Sequence, residues 1–158
     1  MQIEDGRFYF ISDDFMQKYG AKYNLMANKE SGTKRPCYFC FKDKKDEHII
    51  WFVPISKQYE KYKTIYDKKK QKINREPLNF VFGIVKDEQA TFLIQNMFPT
   101  TTKYIEEKYQ VQNSDVTVSA PLQREVIEKA GDVLRLATKG IHIAFSDLIA
   151  FKEELLNE

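Results

Sequence analysis

Residues 36–41 read Pro36-Cys37-Tyr38-Phe39-Cys40-Phe41 and residues 48–53 read His48-Ile49-Ile50-Trp51-Phe52-Val53, with only the polar stretch 42–47 between them. Aromatic and β-branched runs of this kind favour half-buried strands. A link this short pairs them antiparallel, since a parallel crossover needs a dozen residues or more. The neighbouring segments extend the pattern. Residues 7–11 read as an aromatic strand, followed by a helix capped by Ser12, with Asp13 and Asp14 in its first turn, Gly20 at its end and Phe15, Met16 and Tyr19 on its apolar face. Residues 28–34, with Ser31 and Gly32, read as a loop. Pro54 lacks a ladder donor, so the second strand is expected to stop there and hand Ile55, Ser56 and Lys57 to a strand-to-helix turn.

Further along, residues 57–72 predict a lysine-rich helix carrying Tyr59, Tyr62 and Tyr66 on one face. Residues 78–85 and 91–95 predict a hairpin around 86–89, closed by Pro99. A helix is expected over 101–109 and a short β segment over 116–118. The clearest helix spans 121–139, opened by Ser119 and Pro121 and ended by Gly140, with a stripe of Leu122, Val126, Ala130, Val133, Leu134 and Ala137. Ser146 is expected to cap a last helix through residue 156. Strands joined by short turns, with helices gathered late in the chain, give an α+β class built on an antiparallel sheet. The 158 residues fit a single compact domain, 1–158.

At 42% hydrophobic and 30% charged the chain falls outside disordered and fibrous classes. No apolar run suits a signal peptide or a bilayer span, so a cytoplasmic location and no membrane partner are expected. Charge is unevenly spread: residues 29–75 hold 14 basic and 6 acidic side chains, against 8 and 13 in residues 76–158. Clustered Lys and Arg are the general means of holding phosphate, so the middle third is the candidate polyanion surface.

No glycine-rich phosphate loop, paired-histidine motif, nucleophile elbow or carboxylate cluster is present, so no metal or other cofactor is expected. Cys37 and Cys40 lack a second pair to complete a zinc site and read as buried thiols. His48 and His142 sit in apolar, strand-like settings and read as structural. The more specific arrangement is Lys34-Arg35-Pro36 before one strand and Pro54-Ile55-Ser56-Lys57 after its neighbour. In an antiparallel pair these lie at one edge of the sheet, where cations and a hydroxyl converge.

These segments, in this order with the opening Phe8-Tyr9-Phe10-Ile11-Ser12 and with Asn96-Met97-Phe98-Pro99, resemble the type III toxin–antitoxin endoribonucleases, the ToxN, AbiQ and CptN group, and most closely its CptN branch. The resemblance covers most of the chain. It implies a twisted antiparallel sheet with surrounding helices, as in the Kid and MazF toxins. It further implies metal-independent cleavage of RNA, and inhibition by a repeated pseudoknot RNA that the toxin cuts from its precursor. Toxin and antitoxin RNA would alternate in a closed assembly, commonly of three proteins and three RNAs. Arg35 aligns with a cationic active-site residue and Ser56 with the serine of a Thr-Ser turn. Ile55 departs from that threonine, and Lys57 follows Ser56 directly where the family has an intervening residue.

Cleavage by the RNA's own 2′-hydroxyl needs in-line orientation, charge stabilisation on the phosphoryl oxygens and proton transfer. Arg35 suits charge stabilisation. Lys57 and Lys34 are candidate second cations, and Ser56 is a hydrogen-bond donor to phosphate. Lys29, Lys61, Lys63, Lys68, Lys69, Lys70, Lys72 and Arg75 form the candidate RNA-tracking surface. Phe8, Phe15, Tyr59, Tyr62 and Tyr66 are the candidate base-stacking residues, although tyrosines on one helical face are equally a packing pattern. The expected substrates are cellular or phage RNA, with no DNA. A closed assembly needs a second RNA-facing patch, expected near Lys18, Lys22 and Lys103. The alternative is a non-catalytic RNA-binding module using the same basic surface.

Overall fold

The computed structural model describes residues 2–158; Met1, where the expected domain begins, lies outside them. The elements in order are β1 (Phe8–Ile11), α1 (Asp13–Tyr19), β2 (Lys29–Glu30), β3 (Thr33–Lys34), β4 (Cys37–Lys42), β5 (Ile50–Ser56), α2 (Tyr59–Ile73), β6 (Phe80–Val85), β7 (Glu88–Leu93), β8 (Phe98–Thr100), β9 (Ile105–Lys108), β10 (Gln110–Val111), β11 (Ser114–Asp115), α3 (Ala120–Thr138) and α4 (Leu148–Leu156). Seven strands form one antiparallel sheet in the order β6-β7-β5-β4-β1-β9, with β8 also on β5. Helix α2 lies on β6 and β7, α3 on β4 and β6, and α4 on β8 and α3. The expected α+β class with an antiparallel sheet is what the chain adopts.

Local chemistry accounts for the well-defined ends. Ser12 Oγ accepts from Phe15 N and Ser119 Oγ from Leu122 N, each satisfying an orphan donor of a first turn. Gly140, at φ +82°, takes the left-handed backbone that follows α3. The β6–β7 hairpin turns tightly through Lys86 and Asp87, both at positive φ.

Five expectations are corrected. Strand β5 runs through Pro54 to Ser56. Cys37 opposes Pro54, and the adjacent bond is Ile55 N to Pro36 O, so the proline nitrogen faces the other edge. There β8 ends opposite Phe52 and β7 begins opposite Ile55, so no ladder donor is required of Pro54. Residues 28–34 are not an open loop but the small β2–β3 hairpin, closed by Ser31 and Gly32 at φ +53° and +80°. The expected helix 101–109 is one 3-10 turn, Thr102–Tyr104, followed by β9. Pairing of Ile105, Glu107 and Lys108 with the open edge of β1 outweighs local helical preference. Residues 116–118 form no strand; the hairpin in this region is β10–β11. Asp147, not Ser146, caps α4, because the Ser146 hydroxyl donates to the Tyr23 carbonyl.

Aromatic packing dominates the interior. Phe8, Tyr38 and Phe92 meet at ring separations of 5.2–6.1 Å. Phe151 of α4 stacks on Tyr23 at 4.0 Å and on Phe15 at 5.8 Å. Burying each such ring contributes about 1.5–3 kcal/mol. The β4–β5 turn is tied to α4 by Asp43, whose carboxylate accepts from Trp51 Nε1 at 2.9 Å and pairs with Lys152 at 2.7 Å.

Candidate active site

The β4–β5 register brings Arg35, just before β4, beside the end of β5. Arg35 is 5% exposed. Its Nε donates to the Ala27 carbonyl at 3.0 Å, and Nη1 donates to the Ile55 carbonyl at 2.8 Å and to Glu30 Oε2 at 3.1 Å. Two backbone carbonyls therefore fix the guanidinium plane. Ser56, also buried, donates through Oγ to Glu30 Oε2 at 2.5 Å and accepts from Gln58 N at 3.1 Å. Glu30 Oε1 accepts from Lys57 N at 2.9 Å. Gln58 Nε2 approaches Oε2 at 3.5 Å.

These groups line a cleft of about 220 Å³ walled by Phe10, Lys34, Lys57, Lys86, Glu88 and Tyr109, among others. Arg35, Ser56, Lys57 and Lys34 all contribute to it, as expected. Their states differ. Lys34 is spent on an ion pair with Glu106 of β9, with Asp13 at 4.0 Å. The Lys57 side chain is 71% exposed and its Nζ lies 4.0 Å from Glu88, so it is an exposed rim cation.

Glu30 was absent from the sequence reading. It is the hub of the site, and the Ser31-Gly32 turn was the available signal, because a two-residue hairpin there folds position 30 back against Arg35. Burial alone would push the Glu30 carboxyl up, but hydrogen bonds from Lys57 N and Ser56 and the charge of Arg35 hold it below the usual carboxylate range. It is ionised at neutral pH. Among the described residues no three His, Cys, Asp or Glu side chains converge on a common point.

The aromatic assignments are corrected. Phe8 and Phe15 are wholly buried and cannot meet a base. Tyr62 and Tyr66 are buried against Phe80 and Phe82 at ring separations of 5.4 and 5.2 Å, and Tyr59 meets Phe82 edge-on at 5.5 Å. The tyrosine stripe is therefore the face that seats α2 on its sheet. The cleft instead holds Phe10 against Tyr109 at 5.4 Å, with Lys86 Nζ 5.7 Å from the Tyr109 ring. Phe10 shares its sheet face with Phe8 but lies beyond the covered part, a distinction that residue spacing does not carry.

The basic surface is partly neutralised. Lys63 pairs with Asp67 and Lys70 with Glu76. Among the described residues Lys29, Lys61, Lys68, Lys69, Lys72 and Arg75 form no ion pair, and all but the half-buried Lys69 are exposed. Lys18 and Lys103 both pair with Glu158, and Lys22 with Glu154, so the expected second patch is charge-compensated. His48 and His142 are exposed rather than strand-embedded, and neither lines the cleft.

No family model and no curated protein matches the sequence. Among solved structures, one from bacterial type III toxin–antitoxin systems, in which a non-coding RNA pseudoknot selectively inhibits the toxin, superposes with TM-score 0.68 and 16% identity over 98% of both chains. A second, from a bacterial antiviral system regulated by a processed non-coding RNA, gives 0.68 and 9% over 96% of this chain and 98% of that one. AbiQ, a lactococcal anti-phage endoribonuclease of the type III systems, gives 0.62 and 10% over 95% of each. The expected resemblance to the type III toxins holds at the level of fold, across nearly the whole chain, and nothing among these structures bears on the CptN branch. No helix among the described residues is long and apolar enough to cross a membrane.

Proposed function

We propose that this protein is the toxin of a type III toxin–antitoxin system: a cytoplasmic, single-domain, metal-independent endoribonuclease that cleaves single-stranded cellular or phage RNA at preferred sequences. Its inhibitor is a pseudoknot RNA that it processes from a precursor and with which it closes into an assembly, three proteins with three RNAs. Defence by abortive phage infection is the corresponding physiological role. The observation that carries this reading is the convergence of Arg35 Nη1, Ser56 Oγ and Lys57 N on two oxygens of one carboxylate at 2.5–3.1 Å, within the fold of these toxins. Donors so placed can equally meet two non-bridging oxygens of a phosphodiester.

In this reading the 2′-hydroxyl attacks the adjacent phosphorus, leaving a 2′,3′-cyclic phosphate and a 5′-hydroxyl. Arg35, permanently charged and held by backbone carbonyls, stabilises the charge gathered on the phosphoryl oxygens. Ser56 and the Lys57 amide donate hydrogen bonds to the same oxygens. The Lys57 ammonium, exposed on the rim near Glu88, supplies a second cation. Phe10 and Tyr109 offer faces on which bases flanking the scissile bond stack.

Purified protein incubated with mixed-sequence RNA in EDTA tests this directly. Cleavage with cyclic-phosphate ends is expected, slowed about 100-fold or more by Ser56→Ala, the scale for losing one donor to an oxyanion. Arg35→Lys, which loses the fixed fork, is expected to lose cleavage as well. Binding without cleavage would instead identify a non-catalytic RNA-binding module.

A further inference from the structure

The donors that would hold a phosphate are already filled by the protein's own carboxylate. Glu30 Oε2 takes Ser56 Oγ and Arg35 Nη1, with Gln58 Nε2 at 3.5 Å, and Oε1 takes the Lys57 amide. A carboxylate and a phosphodiester both present two oxygens that share negative charge, and they compete for one set of donors. They cannot share it, because a second anion beside Glu30 would meet like charge in a cleft whose only buried cation is Arg35 among the described residues. We infer that Glu30 is a displaceable occupant of the phosphate seat, and that a phosphodiester binds by expelling it.

The backbone around Glu30 suits this exchange. The main-sheet ladder holds Ile55 and Ser56 by pairing with Phe92 and Thr91, and the Arg35 bonds to the Ala27 and Ile55 carbonyls do not involve Glu30. Glu30 itself stands on the β2–β3 hairpin, two residues per strand, which pairs with no other strand among the described residues. Its Ser31-Gly32 tip is exposed, and a Cβ built on Gly32 meets nothing within 4 Å. The seat is thus built on the main sheet, whereas its occupant is carried on a separate two-residue strand pair, tied to β9 through Lys34 and Glu106.

The inference rests on the phosphate reading of the cleft, and its test is independent of catalysis. Binding of inorganic phosphate, and of an oligodeoxynucleotide that lacks the attacking hydroxyl, is measured by calorimetry for the native protein, Glu30→Gln and Glu30→Gln/Ser56→Ala. Glu30→Gln is expected to bind both about tenfold or more tightly, with the gain lost in the double variant. Unchanged or weaker binding by folded Glu30→Gln would overturn the inference and make Glu30 a fixed strut for Arg35 and Ser56.

Carbon NMR of the Glu30 carboxyl in the native protein reports the same exchange without mutation. The resonance shifts at saturating phosphate if the carboxylate is expelled, and an unmoved resonance overturns the inference. Tighter phosphate binding by Glu30→Gln with no RNA cleavage by native protein would refute the ribonuclease reading alone.

Discussion

Cys37 and Cys40 show how environment sets a residue's chemistry. Both are buried, and burial pushes the Cys37 thiol up to about 12 against the opposing charge of Arg35, while burial also raises Cys40. Neither offers a thiolate near neutral pH. Thiol-reactive dye at pH 8 is expected to label neither in the native state and both after denaturation; labelling of the folded protein would contradict this burial. The same scale explains what the sequence concealed about Glu30. An acidic residue inside a basic segment has no motif of its own, and its importance comes from Arg35 and from two donors more than twenty positions away, Ser56 at the end of β5 and the Lys57 amide that follows it.

At the scale of elements, α4 is held to the β4–β5 turn by Asp43, which is 8% exposed and accepts from Trp51, Lys152 and the amides of Lys45 and Asp46. Asp43→Ala would leave the Trp51 N–H without its acceptor and Lys152 with Asp46 alone, at 3.0 Å. Because Lys152 keeps some solvent access and its Asp46 partner, the expected loss is about 1–3 kcal/mol, the scale for leaving a buried donor unsatisfied. A urea titration checks it: a lowered midpoint with unchanged slope is expected, and an unchanged midpoint would dismiss the tie. The elements best read from sequence, α1, α3 and β4, are those whose caps and apolar patterns are local. Strand β9 was missed because its pairing partner, β1, lies about a hundred residues earlier, and that edge pairing decided its conformation.

For the whole molecule, charge sets two expectations. The α2 lysines extend from the cleft along a helix of 15 residues, about 22 Å. Replacing Lys61, Lys68, Lys69 and Lys72 by Gln is expected to reduce the salt slope of single-stranded RNA affinity by about 3; an unchanged slope would remove α2 from the RNA path. Acid lability follows from the carboxylates. Burial would raise Glu158, but Lys103, Tyr104, Tyr19 and Lys18 outweigh it and hold the carboxyl at about 2 against an ordinary 4.5. Asp43 and Glu30 are also lowered. A group whose folded value is depressed stabilises fully above its ordinary range and loses that contribution as pH falls through the folded value. The melting temperature is therefore expected to fall between about pH 4.5 and 2, and less steeply in Glu158→Gln.

By itself the sequence determined the antiparallel sheet, the main helices, and the meeting of Arg35 with Ser56 and Lys57 at one edge. Strand composition, caps and short links act over a few residues, and an antiparallel pair joined by a short turn leaves its ends no other arrangement. Only the tertiary structure decided which aromatics face the cleft, that Lys34 is spent on Glu106, and that Glu30 sits among the phosphate donors. Those outcomes depend on which surfaces other elements cover and which charges a distant strand brings into reach, and neither is written in local spacing.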